Sequence, residues 1–421
     1  MINEFALHPA DVLIPKNTDL EKWCVVACDQ YTSQQKYWNE VKDFVGDNNS
    51  TLNLIFPEIY LENDDFDSRI TSIKSTMYDY LSNNIFNNYP EAYICVKRTL
   101  ADGKIRNGII GMIDLECYDY EKSSQNLVRA TEGTVIERIP PRVKIRKDCP
   151  LEVPHIMLLI DDESKSVIEP IANSCSSQAP IYSTNLMQNS GSICGYLLGD
   201  EAKSSLESNL IKLADNASFC AKYNVKDKPS LLFAVGDGNH SLATAKKCYE
   251  NIKEKIGENA RSCPARYALV EIVNLHDSSL EFEAIHRVLF NVDPVNVMKE
   301  LRAFYETSEL TATQNFKAVI GNDITNVGIL NPSLNLTVGS LQNFIDYYLQ
   351  NFGGKVDYIH GEDVVKNLCV QNQNSVGFIL QCINKNDLFK TVILDGALPR
   401  KTFSMSQACD KRFYLESRKI I

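Results

Sequence analysis

The sequence predicts a mixed α/β (α+β) fold from three observations. Short, fully apolar runs alternate with stretches of helical periodicity, an Asp-Gly turn joins two strand-like segments, and one apolar run passes through a glycine-rich turn into an Ala-rich stretch. With 421 residues, 44% of them hydrophobic, the chain can bury a sizeable core, and its length predicts two or three lobes. Composition shifts put the boundaries near 125 and 300, giving lobes 1–125, 126–300 and 301–421.

From 39 to 90 the chain is rich in Asn, Asp and aromatics. Ile70, Ile73, Met77, Tyr78 and Leu81 recur at helical spacing, which predicts surface helices with one buried stripe. Tyr93–Val96 and Ile109–Ile113 then flank Asp102-Gly103, the pattern of a β-hairpin. Strands are expected at 155–160, 231–235 and 267–273, and helices at 201–222, 241–256 and 340–351. Ser/Asn-rich segments at 171–192 and 321–338 read as surface connections. A second hairpin is expected late, 376–380 against 390–394, and Ser404 or Ser406 is a candidate cap for a terminal helix.

Charge and cysteine usage narrow the function classes. The net charge of −11 and pI near 5.2 oppose general binding to nucleic acid or to an anionic membrane, since both require a positive field. Thirteen cysteines are scattered without a Cys-x-x-Cys pair, which fits reduced thiols packed as small core residues rather than a disulfide framework or a zinc ribbon. The first residues lack a basic segment leading into an apolar core, and no window approaches the ~20 apolar residues of a membrane span. The expectation is a cytoplasmic protein with small-molecule substrates.

The most informative block is Leu231–Val235, then Gly236-Asp237-Gly238-Asn239-His240-Ser241, then Leu242–Lys247. It reads as strand, glycine turn and helix, a junction that points free N–H groups outward toward an anion. His240 is the histidine with least packing reason for its position. Asp237 is the most economical magnesium ligand, because that ion takes one or two carboxylates together with substrate oxygens. Glu132 and the pair Asp161-Asp162 are further acidic candidates, although the pair has an equally ordinary role in opening a turn.

A second block, Arg129 to Arg146, carries five basic residues against two acids. Arg129, Arg138 and Arg142 beside Thr131, Gly133 and Thr134 suit a compact oxyanion, and a solvated basic surface is the equal alternative. Arg400, Lys401 and Thr402 form a third basic cluster. Lys411, Arg412, Arg418 and Lys419 read as dipole complements on a wet face, and His155 as a satisfied buried imidazole. The polar run Cys28 to Ser33 allows a ligand loop, or a capping Asp29. No Walker-type loop, G-x-G-x-x-G turn, kinase glycine loop or G-x-S-x-G elbow is present.

Asp237-Gly238-Asn239-His240 resembles the Asp-Gly-x-His turn of the ParB/sulfiredoxin-like superfamily. Read jointly with Arg129–Arg146, Ala265–Glu271, Asn274–Asp277 and Leu398–Met405, the chain resembles a large conserved-hypothetical family that includes pyrophosphate-dependent serine kinases. The resemblance implies a ParB/sulfiredoxin-like core with added N- and C-terminal α/β lobes. It also implies transfer of a phosphoryl group from pyrophosphate to free L-serine, with Mg2+, to give O-phospho-L-serine for cysteine synthesis. On that reading Arg129, Thr131, Arg138, Arg142, Gly238, Asn239, His240, Ser241, Arg400 and Lys401 converge on the donor. Asp237 holds magnesium or orients serine, and Glu132 is the candidate base. The alternatives are a nucleotide-dependent serine kinase, a phosphohydrolase, and a noncatalytic nucleotide- or metabolite-binding module.

Overall fold

The structure is a computed structural model that describes residues 5–122, 124–308, 312–332, 334–399 and 401–421. The chain divides into two units, Met1–Leu280 with Gln407–Ile421, and Glu281–Ser406. Each is a mixed α/β unit built on its own sheet.

In the first unit the main sheet runs in the order Tyr182–Asn185, Ser192–Leu197, Ile94–Thr99, Ile105–Asp114, Tyr267–Asn274, Met157–Ile160, Phe233–Asp237, Val128–Ala130 and Tyr118–Asp119, among the described residues. The short strand Leu7–His8 adds to Ile105–Asp114. The Asp102-Gly103 hairpin forms as expected, with Ile94 opposite Ile110, Thr99 opposite Ile105 and Gly103 at φ +87°. Met157–Ile160 is buried throughout, and Tyr267–Asn274 nearly so, as continuous apolar strands covered on both faces must be. The helix Asn239–Ile256 turns Leu242, Ala245 and Tyr249 into the same core as Val235, Leu158 and Ile272.

A second core in this unit gathers Trp23, Trp38, Val41, Ile70, Ile73 and Met77, drawn in part from the helices Gln35–Val45 and Phe66–Ser82. The expected stripe is therefore real, although Tyr78 faces solvent. The expected helix at 201–222 is two helices, Asp200–Ala214 and Asn216–Tyr223. Asp215 ends the first and caps the second by accepting from the Ser218 N–H.

The second unit holds the sheet order Thr307–Ser308, Asp323–Ile329, Gln314–Ile320, Ser375–Ile379, Phe282–Phe290 and Lys355–His360, with Phe403–Met405 added on Phe282–Ala284. Its helices include Pro294–Phe304, Thr337–Phe352, Glu362–Gln371 and Lys385–Asp395.

Several expectations are corrected here. The boundary expected near 125 falls within one continuous sheet, and that near 300 falls inside a helix, because long-range strand pairing rather than local composition sets the division. Residues 390–394 belong to a helix capped by Asn384, with Leu388, Phe389, Val392 and Ile393 buried on one face. Ser375–Ile379 pairs instead with Phe282–Phe290 and Gln314–Ile320. The connection expected at 321–338 contains the strand Asp323–Ile329, and that at 171–192 contains part of a helix and a strand. No terminal helix forms among the described residues. Phe413–Tyr414 and Arg418–Lys419 are short strands that pair with Val25–Val26 and Leu151–Glu152, an outlet for apolar residues that local sequence does not reveal. Among the described residues no helix is long and apolar enough to cross a membrane.

Candidate active site around the Gly238 turn

The strand Phe233–Asp237 ends at the sheet edge of a turn whose pivot is Gly238, at φ +79° and ψ +28°. Only glycine adopts that conformation without cost, and a Cβ there would lie 3.1 Å from the Ile156 Cα. The helix starts immediately, with its first bond from the Leu242 N–H to the Gly238 carbonyl at 2.9 Å. No side chain caps it. The amides of Asn239 and Ser241 therefore sit in a first turn where a helix supplies no backbone acceptor, at its positive end.

Two flanking strands fix what surrounds the turn. Val128–Ala130 runs parallel to Phe233–Val235 and delivers Thr131, which is buried and donates to the Val235 carbonyl at 2.7 Å. With its only proton used, the Thr131 hydroxyl accepts from Asn239 Nδ2 at 3.4 Å, so Asn239 Oδ1 is the atom turned the other way. Asn239 Oδ1 is buried with no hydrogen-bond partner. On the opposite flank, Met157–Ile160 runs antiparallel to the strand, and His155 precedes it. The His155 ring contacts Ser241 Oγ at 3.2 Å through Nε2 and the Tyr414 hydroxyl at 2.6 Å through Nδ1. The Asp29 carboxylate lies 3.7 Å from His155 Nε2.

The C-terminal segment completes the site. Tyr414 is held by strand pairing with Val25, and its hydroxyl accepts from the Cys28 N–H at 3.1 Å. Burial pushes the Tyr414 phenol well above its ordinary value, so it remains a donor. Its oxygen and Nδ1 of the His155 ring share one hydrogen bond, which leaves Nε2 facing Ser241 Oγ and Asp29. Lys411, three residues before Tyr414, places its ammonium 3.3 Å from Asp237 Oδ2, while Asp237 Oδ1 accepts from the Gly238 N–H. Burial raises the Asp29 carboxyl, but the His155 charge, a hydrogen bond from Gln30 and the Lys411 charge outweigh it and hold Asp29 below the usual carboxylate value.

The residues expected at the site divide accordingly. Asp237, Gly238, Asn239, His240, Ser241 and Thr131 meet at the turn, with His240 Nε2 accepting from the Val135 N–H at 3.4 Å and so tying down the 131–135 loop. Glu132 follows Thr131 and is half-buried. Arg129 points elsewhere. Its guanidinium donates to the carbonyls of Asn126, Pro229 and Ser230, and burial lowers its pKa to about 10. Arg138 is exposed at the start of the helix Ile139–Arg146, and Arg142 is engaged by Glu58. Lys401 is an exposed residue of the second unit, and Arg400 lies outside the described residues.

Asp29, His155, Lys411 and Tyr414 are the members that sequence reasoning did not assign. Asp29 lay in a run already noted as a possible ligand loop, whereas Lys411 and Tyr414 had no local signal.

The donor set suits a hard divalent cation. At the turn, the Asp237 carboxylate and the orphaned Asn239 Oδ1 are the oxygen atoms that could hold such an ion together with substrate oxygens. A separate cluster, Asp161, Glu163 and His276, also offers three ligand atoms within 4.8 Å of one another. There the Lys222 ammonium lies 2.9 Å from Asp161 Oδ1, and Tyr223 and His276 hydrogen-bond the same carboxylate. Asp162 caps the following turn by accepting from the Ser166 and Val167 N–H groups, the ordinary role considered for it.

Fold and site together define an α/β protein with a glycine-pivoted strand-to-helix turn, its helix start uncapped by any side chain, beside a cluster of Asp29, His155 and Tyr414. The chain belongs to the family described as "Protein of unknown function (DUF1015)", whose model matches residues 8–348. No curated protein matches it. Among solved structures, it is similar to a free serine kinase in complex with AMP, with a TM-score of 0.39 and 9% identity over 73% of this chain and 91% of that one. It is also similar to C-terminally truncated SbnI from Staphylococcus aureus, with a TM-score of 0.36 and 10% identity over 70% of this chain and 83% of that one. A conserved hypothetical protein from Pyrococcus furiosus aligns with a TM-score of 0.31 and 14% identity, over 45% and 75% of the respective chains.

Proposed function

We propose that the protein is a phosphotransferase that moves a phosphoryl group from pyrophosphate to the hydroxyl of free L-serine, giving O-phospho-L-serine and orthophosphate. The observation that carries this reading is the convergence on one turn of two uncapped helix amides, the Lys411 ammonium, and a carboxylate backed by an imidazole. A phosphoryl donor needs cationic and N–H groups around its oxygens, and an acceptor hydroxyl needs a base beside it. The resemblance of Asp237–His240 and its companion blocks to pyrophosphate-dependent serine kinases supports the donor and acceptor named.

In this reading the Asn239 and Ser241 amides and Lys411 bind the phosphates. Asp237 and Asn239 Oδ1 would hold magnesium, which when bound neutralises charge on the phosphate oxygens. Asp29 takes the role of base in place of Glu132, because its carboxylate lies 3.7 Å from His155 Nε2, the nitrogen that also contacts Ser241 Oγ. As the serine oxygen bonds to phosphorus, the hydroxyl proton passes to Asp29 and the bridging P–O bond breaks, its electrons leaving with orthophosphate. His155 orients Asp29 through Nε2, and Tyr414 holds the ring at Nδ1.

Purified Asp237→Asn should lose turnover by orders of magnitude while keeping the wild-type melting transition. Near-normal formation of O-phosphoserine by that variant would remove Asp237 from the mechanism. In the same assay, release of phosphate without phosphoserine would assign a phosphohydrolase instead.

A further inference from the structure

Beside the turn lies a cavity of about 140 Å³. His155, Ser241, Tyr414, Glu58 and Arg142 all line it. Its volume is well below the ~300–1,000 Å³ typical of sites for drug-sized ligands. A volume of that size suits a small solute.

The Glu58–Arg142 pair is unusual for its surroundings. The two side chains are only 18% and 14% exposed, and apolar residues including Ile73, Met77 and Ile145 line the same cavity. Arg142 Nε and Nη2 both donate to Glu58 Oε1, and Nη1 donates to the Arg138 carbonyl at 2.6 Å. A guanidinium carries five N–H donors, so these three bonds leave one N–H on each terminal nitrogen for a ligand carboxylate. Glu58 uses one oxygen on Arg142, which leaves its second oxygen as an acceptor beside the same guanidinium. A cation and an anion displayed together within a small, partly dry cavity match a ligand carrying both charges.

We propose that Glu58 and Arg142 seat the zwitterionic head of the acceptor amino acid, an inference that rests on the serine-phosphorylating reading above. Arg142 takes the α-carboxylate and Glu58 the α-ammonium. An amino acid held this way extends its β-hydroxyl toward Ser241 and His155, which line the same cavity, His155 lying 3.7 Å from Asp29. The pair then selects free amino acids over simple alcohols and over seryl residues in a peptide, whose carboxylate and ammonium are both consumed.

The test compares acceptors that each lack one charge, using the full chain with pyrophosphate. Wild type should favour L-serine over L-serinamide and over 3-hydroxypropionate by about 100-fold in kcat/KM. Arg142→Met should bring L-serine and L-serinamide to within about threefold of each other, and Glu58→Gln should do the same for L-serine and 3-hydroxypropionate, with the KM for pyrophosphate held in both. Folded variants that keep the wild-type discrimination, or that weaken all acceptors alike, would overturn the assignment. If Arg142→Met does not fold, Arg142→Lys serves, since a point charge without the fork must still erode the preference for a carboxylate.

Absence of phosphorylation of any acceptor by wild type would defeat the kinase reading separately. The subsite is then read by calorimetry with L-serine and L-serinamide. A wild-type preference for L-serine that Arg142→Met abolishes supports the seat, and equal binding of the two by wild type overturns it.

Discussion

The Lys411 ammonium lies 3.3 Å from the Asp237 carboxylate, so a cation delivered by the last segment of the chain closes a turn built in its middle. The pair is mostly buried, with side-chain exposures of 15% and 17%. Lys411→Met should therefore lower turnover about 10²- to 10³-fold, the scale for loss of one preorganised electrostatic group, while circular dichroism stays unchanged. Turnover within about threefold of wild type would return Lys411 to a surface role.

With Asp29 as the proposed base, its carboxyl sets where activity falls on the acid side. Burial raises its carboxyl, yet His155, Gln30 and Lys411 together hold it below the ordinary 3.8. The base form then persists as pH falls, so no decline in kcat assignable to Asp29 should occur between pH 8 and 5. Asp29→Asn should abolish turnover across that range. The check is a pH–rate profile of both proteins, and an active asparagine variant would send the base elsewhere.

How much of this was legible beforehand depends on the range of the interaction. The turn was legible because its information is local: an apolar strand, two glycines and a helix start within a dozen residues fix the backbone whatever packs around it. The Asp102-Gly103 hairpin was legible for the same reason. The Tyr414–His155 contact spans 259 residues, and nothing near Tyr414 reveals that Val25 is its strand partner. Arg129 misled for a related reason. A guanidinium two residues from Thr131 looks suited to phosphate, but its N–H groups are taken by the carbonyls of Asn126, Pro229 and Ser230, two of which are about a hundred residues away in sequence. Lys385–Asp395 misled because a short apolar run reads equally as strand or helix until the Asn384 cap is weighed.

Gly238 tests the turn itself. At φ +79° an alanine costs about 1–2 kcal/mol in backbone strain, and its Cβ would press on Ile156 at 3.1–3.2 Å. Gly238→Ala should lower unfolding free energy by at least that amount in urea titration and weaken pyrophosphate binding, since the first-turn amides move with the cap. A variant as stable and as tight as wild type would show that the left-handed turn is dispensable.

Glu152 tests the frame under the site. It is buried and bound by Arg146, by Arg418 at 2.8 Å and by the Leu269 N–H at 2.9 Å. Burial raises its carboxyl, but Arg418 and Arg146 outweigh this and leave it below its ordinary 4.5. A carboxyl lowered by folding stabilises above its unfolded pKa, and that stability is lost as pH falls through the folded value. Glu152→Gln strands two guanidiniums and should cost about 3–5 kcal/mol at pH 7. Its stability should also fall less than that of wild type on acidification below 4.5, measured by denaturant unfolding at each pH.

The most direct measurement of the central claim is a donor screen. The purified chain is incubated with L-serine, Mg2+ and, in turn, pyrophosphate, ATP and ADP, and O-phospho-L-serine is followed by ³¹P NMR. The account predicts phosphoserine from pyrophosphate, formed in step with orthophosphate and absent without serine. Phosphoserine formed only from a nucleotide would contradict the donor, and none from any of the three would contradict the reaction.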